Sequence, residues 1–147
     1  MKPLSESSFN KWRCLIALSF IDRKLQPSEK QFFLTHLKAL TQETITEDQM
    51  QVFLEDFRSP RKPKEFIDEI EEPRDLIDLL QLAYKLFWAD GDFDHREKRA
   101  FQLLRTYIST KLEMDRFVIE DIATGKIKNP QVRLAPNGNV RVSLSDI

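Results

Sequence analysis

The chain nearly states one segment twice. Asp22-Arg23-Lys24-Leu25-Gln26-Pro27-Ser28-Glu29-Lys30-Gln31-Phe32-Phe33 aligns without a gap on Asp90-Gly91-Asp92-Phe93-Asp94-His95-Arg96-Glu97-Lys98-Arg99-Ala100-Phe101, at an offset of 68 residues. Each copy follows an apolar stretch containing aromatics, Trp12 to Ile21 in the first and Leu76 to Ala89 in the second. Repetition of this kind marks one supersecondary unit used twice and packed on itself, because one unit alone cannot bury its apolar face. It constrains the fold closely and the chemistry weakly.

A chain of 147 residues has room for one domain with a substantial core. Its hydrophobic fraction of 41%, with 11 Phe, is too high for a disordered chain. The 23 basic and 24 acidic side chains nearly cancel, and a net charge of −1 argues against nucleic-acid binding through a uniformly basic surface. The single cysteine, Cys14, excludes an internal disulfide and fits a reducing compartment. Its apolar helical neighbourhood reads as that of a small buried hydrophobe. No run approaches the roughly 18 apolar residues of a membrane span. The polar start, Met1 to Ser8, lacks the apolar core of a secretion signal. The expectation is a soluble, cytoplasmic protein. Three glycines and few β-branched runs favour helices.

Helical periodicity recurs along most of the chain. A first helix is expected to start near Ser7 or Ser8 and to end around Asp22, with Phe9, Trp12, Leu15, Ile16 and Phe20 at helical spacing. A second opens at Gln26-Pro27-Ser28-Glu29 and turns Phe33, Leu34, Leu37 and Leu40 inward. Thr46 to Gln49 has the form of a capping box, with Ile45 and Met50 as its hydrophobic staple. The helix that follows should present Met50, Phe53, Leu54 and Phe57 on one face, and Ser59-Pro60-Arg61-Lys62-Pro63 should break it. A short helix through Phe66, Ile67 and Ile70 comes next, ending near Pro73. Leu76, Ile77, Leu80, Ala83, Tyr84, Phe87 and Trp88 then form a stripe, followed after the Asp90 turn by Phe101, Leu104 and Ile108. A last helix carries Met114, Phe117, Val118 and Ile122, with Gly125 placed to end it.

The tail changes character. Val132-Arg133-Leu134 and Val140-Arg141-Val142 alternate around Pro136-Asn137-Gly138-Asn139, and Asn-Gly is a strong hairpin signal. The expected architecture is therefore all-α: six to eight helices in a bundle built from two pseudo-symmetric halves, about 8–58 and 74–124, with a small C-terminal β-hairpin over 126–147.

The turn Ala89-Asp90-Gly91-Asp92-Phe93-Asp94-His95-Arg96-Glu97 resembles the signature of the TerB-like family, named for tellurite-resistance proteins. That signature has an Ala-Asp-Gly, a hydrophobic residue two positions on, an acidic or polar cap, and a Glu three residues after the cap. Asp22, Leu25, Gln26, Pro27 and Glu29 match it in degraded form, with Arg23 in place of the glycine. The resemblance covers residues 8 to about 124 and leaves the tail outside. It implies a helical bundle of about seven helices with internal pseudo-twofold symmetry, a link to stress response, and no established catalytic residues. Divalent-metal binding by acidic residues has been proposed for some members. By position, Asp22, Glu29, Asp90 and Glu97 are the candidates that the resemblance carries over.

The residues themselves leave two readings of the acidic turn. Asp90, Asp92 and Asp94 at alternate positions begin like a calcium loop, but an EF-hand needs Gly sixth and a bidentate Glu twelfth, where this chain has His95 and Phe101. A looser Ca²⁺ or Mg²⁺ site from Asp90, Asp92, Asp94 and Glu97 is one reading. The other is a structural turn, with Asp94 as helix cap, Glu97 closing its capping box, Gly91 permitting a left-handed residue and Phe93 plugging the core. The residues common to both copies are those a turn requires.

No nucleophile motif and no Gly-rich phosphate loop occurs, so an enzyme is not expected. His36 and His95 lack Cys partners at zinc spacing. The run Arg58 to Lys64 reads as a solvated linker offset by the acids after it. Arg133 and Arg141 lie in a basic, acid-free stretch that could meet a partner, although without stacked aromatics it makes a poor single-strand binder. Adjacent aromatics point about 100° apart on a helix, so one of Phe32 and Phe33, and one of Phe87 and Trp88, should border a groove. Phe32 and Trp88 are the candidate partner contacts. The functional expectation is a non-enzymatic interaction or scaffold module that engages a protein partner, or alternatively a divalent-metal sensor built on Asp90 to Glu97.

Overall fold

The computed structural model describes residues 5–20, 33, 35, 46–88 and 95–127, with the backbone alone at Trp88, Arg116 and Phe117. Of these residues 80% are helical, and none lies in a strand. The expected C-terminal hairpin and most of the second helix fall outside the described residues.

Helix α1 (Glu6–Ser19) starts two residues earlier than the spacing suggested. Ser5 caps it by accepting the Ser8 amide at 3.1 Å, which satisfies one orphan donor of the first turn. From Cys14 to Ser19 every residue is buried, the state of a helix with neighbours on all sides.

Helix α2 (Glu47–Arg58) begins at the expected capping box. Thr46 Oγ1 accepts the Gln49 amide at 3.1 Å, and Gln49 Oε1 accepts the Thr46 amide at 3.2 Å. Its inward face is narrower than the apolar pattern implied. Phe53 is fully buried, Met50 and Phe57 are half-buried, but Leu54 is 40% exposed. The polar Asp56 is buried in its stead. Phe53 packs on Phe9 of α1, rings 5.2 Å apart, and Phe57 meets Phe33 edge-on at 5.4 Å.

Where a short helix is expected, the chain makes two 3₁₀ turns, Pro63–Glu65 and Ile67–Glu69. Pro63 lacks an amide donor, and with 3₁₀ geometry Phe66, Ile67 and Ile70 still reach the core. Helix α3 (Pro73–Trp88) places Pro at its first position and buries Leu76, Ile77, Leu79, Leu80, Ala83, Leu86 and Phe87. Helix α4 (His95–Leu112) buries Glu97, Ala100, Phe101, Leu104, Tyr107, Ile108 and Leu112. Tyr84 and Phe101 join the two helices, ring to ring at 5.8 Å.

Helix α5 (Arg116–Ala123) buries Ile119 and Ile122, while Val118 is 38% exposed and Met114 precedes the helix. It packs on α3, where the Gln81 side-chain amide donates to the Ile122 carbonyl at 3.1 Å, and on α4, where Arg105 pairs with Glu120. Gly125, at φ +85°, ends α5 as expected. The Lys126 amide returns to Asp121 O at 2.8 Å and the Gly125 amide to Ile122 O at 3.1 Å, the double closure of a Schellman motif.

Helices α1 and α3 correspond under the repeat offset. Glu6–Ser19 maps onto positions 74–87, inside Pro73–Trp88. They pack side by side with their starts together, since Ser7 Oγ accepts the Glu72 amide at 3.0 Å.

Candidate functional site

Helices α3 and α4 bracket the acidic segment 89–94, ending at Trp88 and resuming at His95. Asp90, Asp92 and Asp94 lie outside the described residues, as do Asp22 and Glu29 of the first copy. So do Phe32, Arg133, Arg141 and the side chain of Trp88. Of the acidic set, Glu97 is the member the structure places. It sits in the first turn of α4 and is only 4% exposed. A carboxylate at that depth must be compensated, and its position in the first turn puts it where the helix dipole favours negative charge. His95, the first residue of α4, is exposed. Among the described residues no group of three or more His, Cys, Asp or Glu is arranged to hold a metal ion.

Phe33 and Phe87 are both buried, at 1% and 0% exposure. Each is one member of an adjacent aromatic pair, and each belongs to the core.

Most of the polar groups that the fold draws together are ones the sequence pattern did not single out; Cys14, read as a small buried hydrophobe, is indeed buried. Arg13 on α1 donates to both oxygens of Asp56 on α2, Nε to Oδ2 at 2.8 Å and Nη2 to Oδ1 at 3.1 Å. Its guanidinium lies 4.5 Å from the centre of the Phe66 ring. Lys11, two residues earlier, is buried and faces Asp75 at 3.7 Å and Asp78 at 3.8 Å on α3. Tyr107 on α4 donates its phenol proton to Asp68 in the second 3₁₀ turn, and Lys111 Nζ donates to the phenol oxygen at 3.4 Å. Burial, then the Asp68 hydrogen bond and charge, drive the Tyr107 pKa far above its usual value. Cys14 is fully buried against the Pro63 carbonyl, 3.8 Å from Sγ, and burial pushes its thiol pKa far up. The thiolate is the reactive form, so this cysteine is inert in the folded chain. On the surface, Arg61 Nη2 at 2.7 Å and the Lys62 amide at 2.8 Å both donate to Glu65 and hold its carboxyl below the usual range. Single-sequence periodicity does not report the pairs Arg13–Asp56, Lys11–Asp75 and Tyr107–Asp68, because each joins positions far apart in the chain.

No helix among the described residues is long and apolar enough to cross a membrane. No protein-family model, no curated protein and no solved structure matches this chain.

Proposed function

We propose that this chain is a non-enzymatic protein-interaction or scaffold module, a helical bundle of the TerB-like kind with a role linked to stress response. The observation that carries the reading is where the reactive side chains go. Cys14, Tyr107, Asp68, Lys11, Arg13 and Asp56 are all engaged in holding helices and turns to one another. A frame of that kind suits the presentation of a surface rather than the activation of a nucleophile. The acidic turn between α3 and α4 and the basic stretch around Arg133 and Arg141 are the partner-facing segments in this reading.

A second reading is that Asp90, Asp92, Asp94 and Glu97 bind a divalent cation and the module is a sensor, with Glu97 the member of that set among the described residues. One experiment separates the two. The melting temperature is measured with Ca²⁺, Mg²⁺, Mn²⁺ or Zn²⁺ against EDTA, in the wild type and in Asp92→Asn/Asp94→Asn. A binding ion raises the melting temperature in step with RT ln(1 + [L]/Kd), and the loop variant loses that gain. An interaction module gives no shift with any ion. A wild-type shift that the variant lacks replaces the scaffold reading with the sensor.

A further inference from the structure

An internal repeat carries a hazard. Two helices that correspond to one another can pair within the chain, or each can pair with its own counterpart in a second copy, through surfaces of similar shape. Helices α1 and α3 are such a pair, coincident under the 68-residue offset. Their apolar faces differ in side-chain size, as at Trp12 against Leu80 and Ile16 against Tyr84, but not in charge. Their polar residues do.

Under that offset, Ser7, Asn10 and Lys11 of α1 correspond to Asp75, Asp78 and Leu79 of α3. The two positions that are neutral on α1 are acidic on α3, and the basic position on α1 is a fully buried leucine on α3. These are the positions that meet: Lys11 Nζ stands 3.7 Å from Asp75 and 3.8 Å from Asp78. Lys11 is 7% exposed, and its ammonium also lies 5.2 Å from the Trp12 ring centre. The ammonium and Asp75 are therefore placed inside the contact, where a mismatch is costly, while the Asp78 side chain, 42% exposed, stands at its edge.

We propose that this asymmetry is a pairing key that selects the α1–α3 contact within one chain over contact with the matching helix of a second copy. With the same geometry, α1 against α1 sets each buried Lys11 ammonium on Ser7 and Asn10, without a carboxylate. Contact of α3 with α3 sets Asp75 and Asp78 against Leu79, without a cation. Only α1 with α3 brings the ammonium and the carboxylates together. A single buried polar residue fixes partner choice in coiled coils by the same logic.

The test is the mass of the full-length chain in solution, by sedimentation equilibrium over a wide concentration range, with circular dichroism to confirm folding. The wild type sediments as a monomer. The evened variant Lys11→Leu/Asp75→Ser/Asp78→Asn, in which both helices carry neutral residues at these positions, gains a dimer of twice that mass as concentration rises. Lys11→Met, a smaller change that also removes the cation, gains dimer in the same direction and serves if the triple variant does not fold. The exchanged variant Lys11→Asp/Asp75→Lys restores opposite charges and remains monomeric. Folded neutral variants that keep the wild-type mass at every concentration overturn the proposal. So does an exchanged variant that dimerises as readily as Lys11→Met, or a wild type that is itself dimeric.

Discussion

Arg13 and Asp56 form a two-point bond across 43 residues of sequence, with both oxygens of a 4%-exposed carboxylate occupied. The pair ties α1 to α2, and the guanidinium lies over the Phe66 ring at the same time. Removing the cation alone leaves Asp56 buried and uncompensated. Arg13→Leu should cost about 3–5 kcal/mol in urea unfolding. Arg13→Lys keeps the charge but loses the fork and the stacking, and should still cost about 1–2 kcal/mol. A loss below about 0.5 kcal/mol for Arg13→Leu would show that the carboxylate finds water instead.

The Tyr107–Asp68 bond predicts an alkaline limit. Tyr107 is harder to ionise in the folded chain than in the unfolded one. Its contribution is therefore complete below the ordinary phenol pKa of about 10 and is lost as pH rises beyond that. Stability of the wild type should fall with pH above about 10, and Tyr107→Phe should lack that part of the slope. Denaturant melts at a series of alkaline pH values, compared between the two proteins, measure it. Equal slopes would place the phenol in water.

Two helix ends of one kind differ in their chemistry. Gly125 closes α5 at φ +85°, and Glu113 closes α4 at φ +52° through the Met114 amide to Ser109 O, 2.9 Å, and the Glu113 amide to Thr110 O, 3.3 Å. A side chain in the left-handed region is strained unless it is glycine. Glu113→Gly should stabilise by up to about 1 kcal/mol. A Cβ at Gly125 would meet nothing within 4 Å, so Gly125→Ala should cost only the backbone strain, about 1 kcal/mol. Thermal melts of the two variants should move in opposite directions.

Cys14 is a reporter of opening. It is the chain's single cysteine, fully buried and with a raised pKa. A thiol reagent should label the native protein only as fast as the core opens, and should label it at once in denaturant. Rapid labelling without denaturant would mean that α1 is released from the core far more often than its burial implies.

Helix existence was legible because 3.6-residue spacing survives any packing arrangement. The Thr46 box and the Gly125 stop were legible because caps are local chemistry. The faces were less so. Met50, Phe53, Leu54 and Phe57 share one stripe, yet Leu54 is exposed while Asp56 turns inward to reach Arg13. The position of the partner helix set that rotation, and nothing within residues 47–58 encodes it. Likewise Val118 yields its place to Ile119 once α5 settles on α3 and α4. Of the candidate site, the sequence named Glu97, but its burial depends on how α4 docks. Lys11 reads in sequence as one charge in a helix start; its role exists only beside Asp75 and Asp78.

From Cys14 to Ser19, helix α1 is buried by elements that come later in the chain. During synthesis it leaves the ribosome well before α3, whose starting turn it must meet more than 60 residues downstream. In that interval α2 and the two 3₁₀ turns can reach α1, through Phe53, Asp56 and Pro63, but the face that turns to α3 has no native cover. Native pairings of long sequence separation slow folding and leave such surfaces open to aggregation. The face of α1 that turns to α3 is thus the last part of that helix to be covered as the chain emerges.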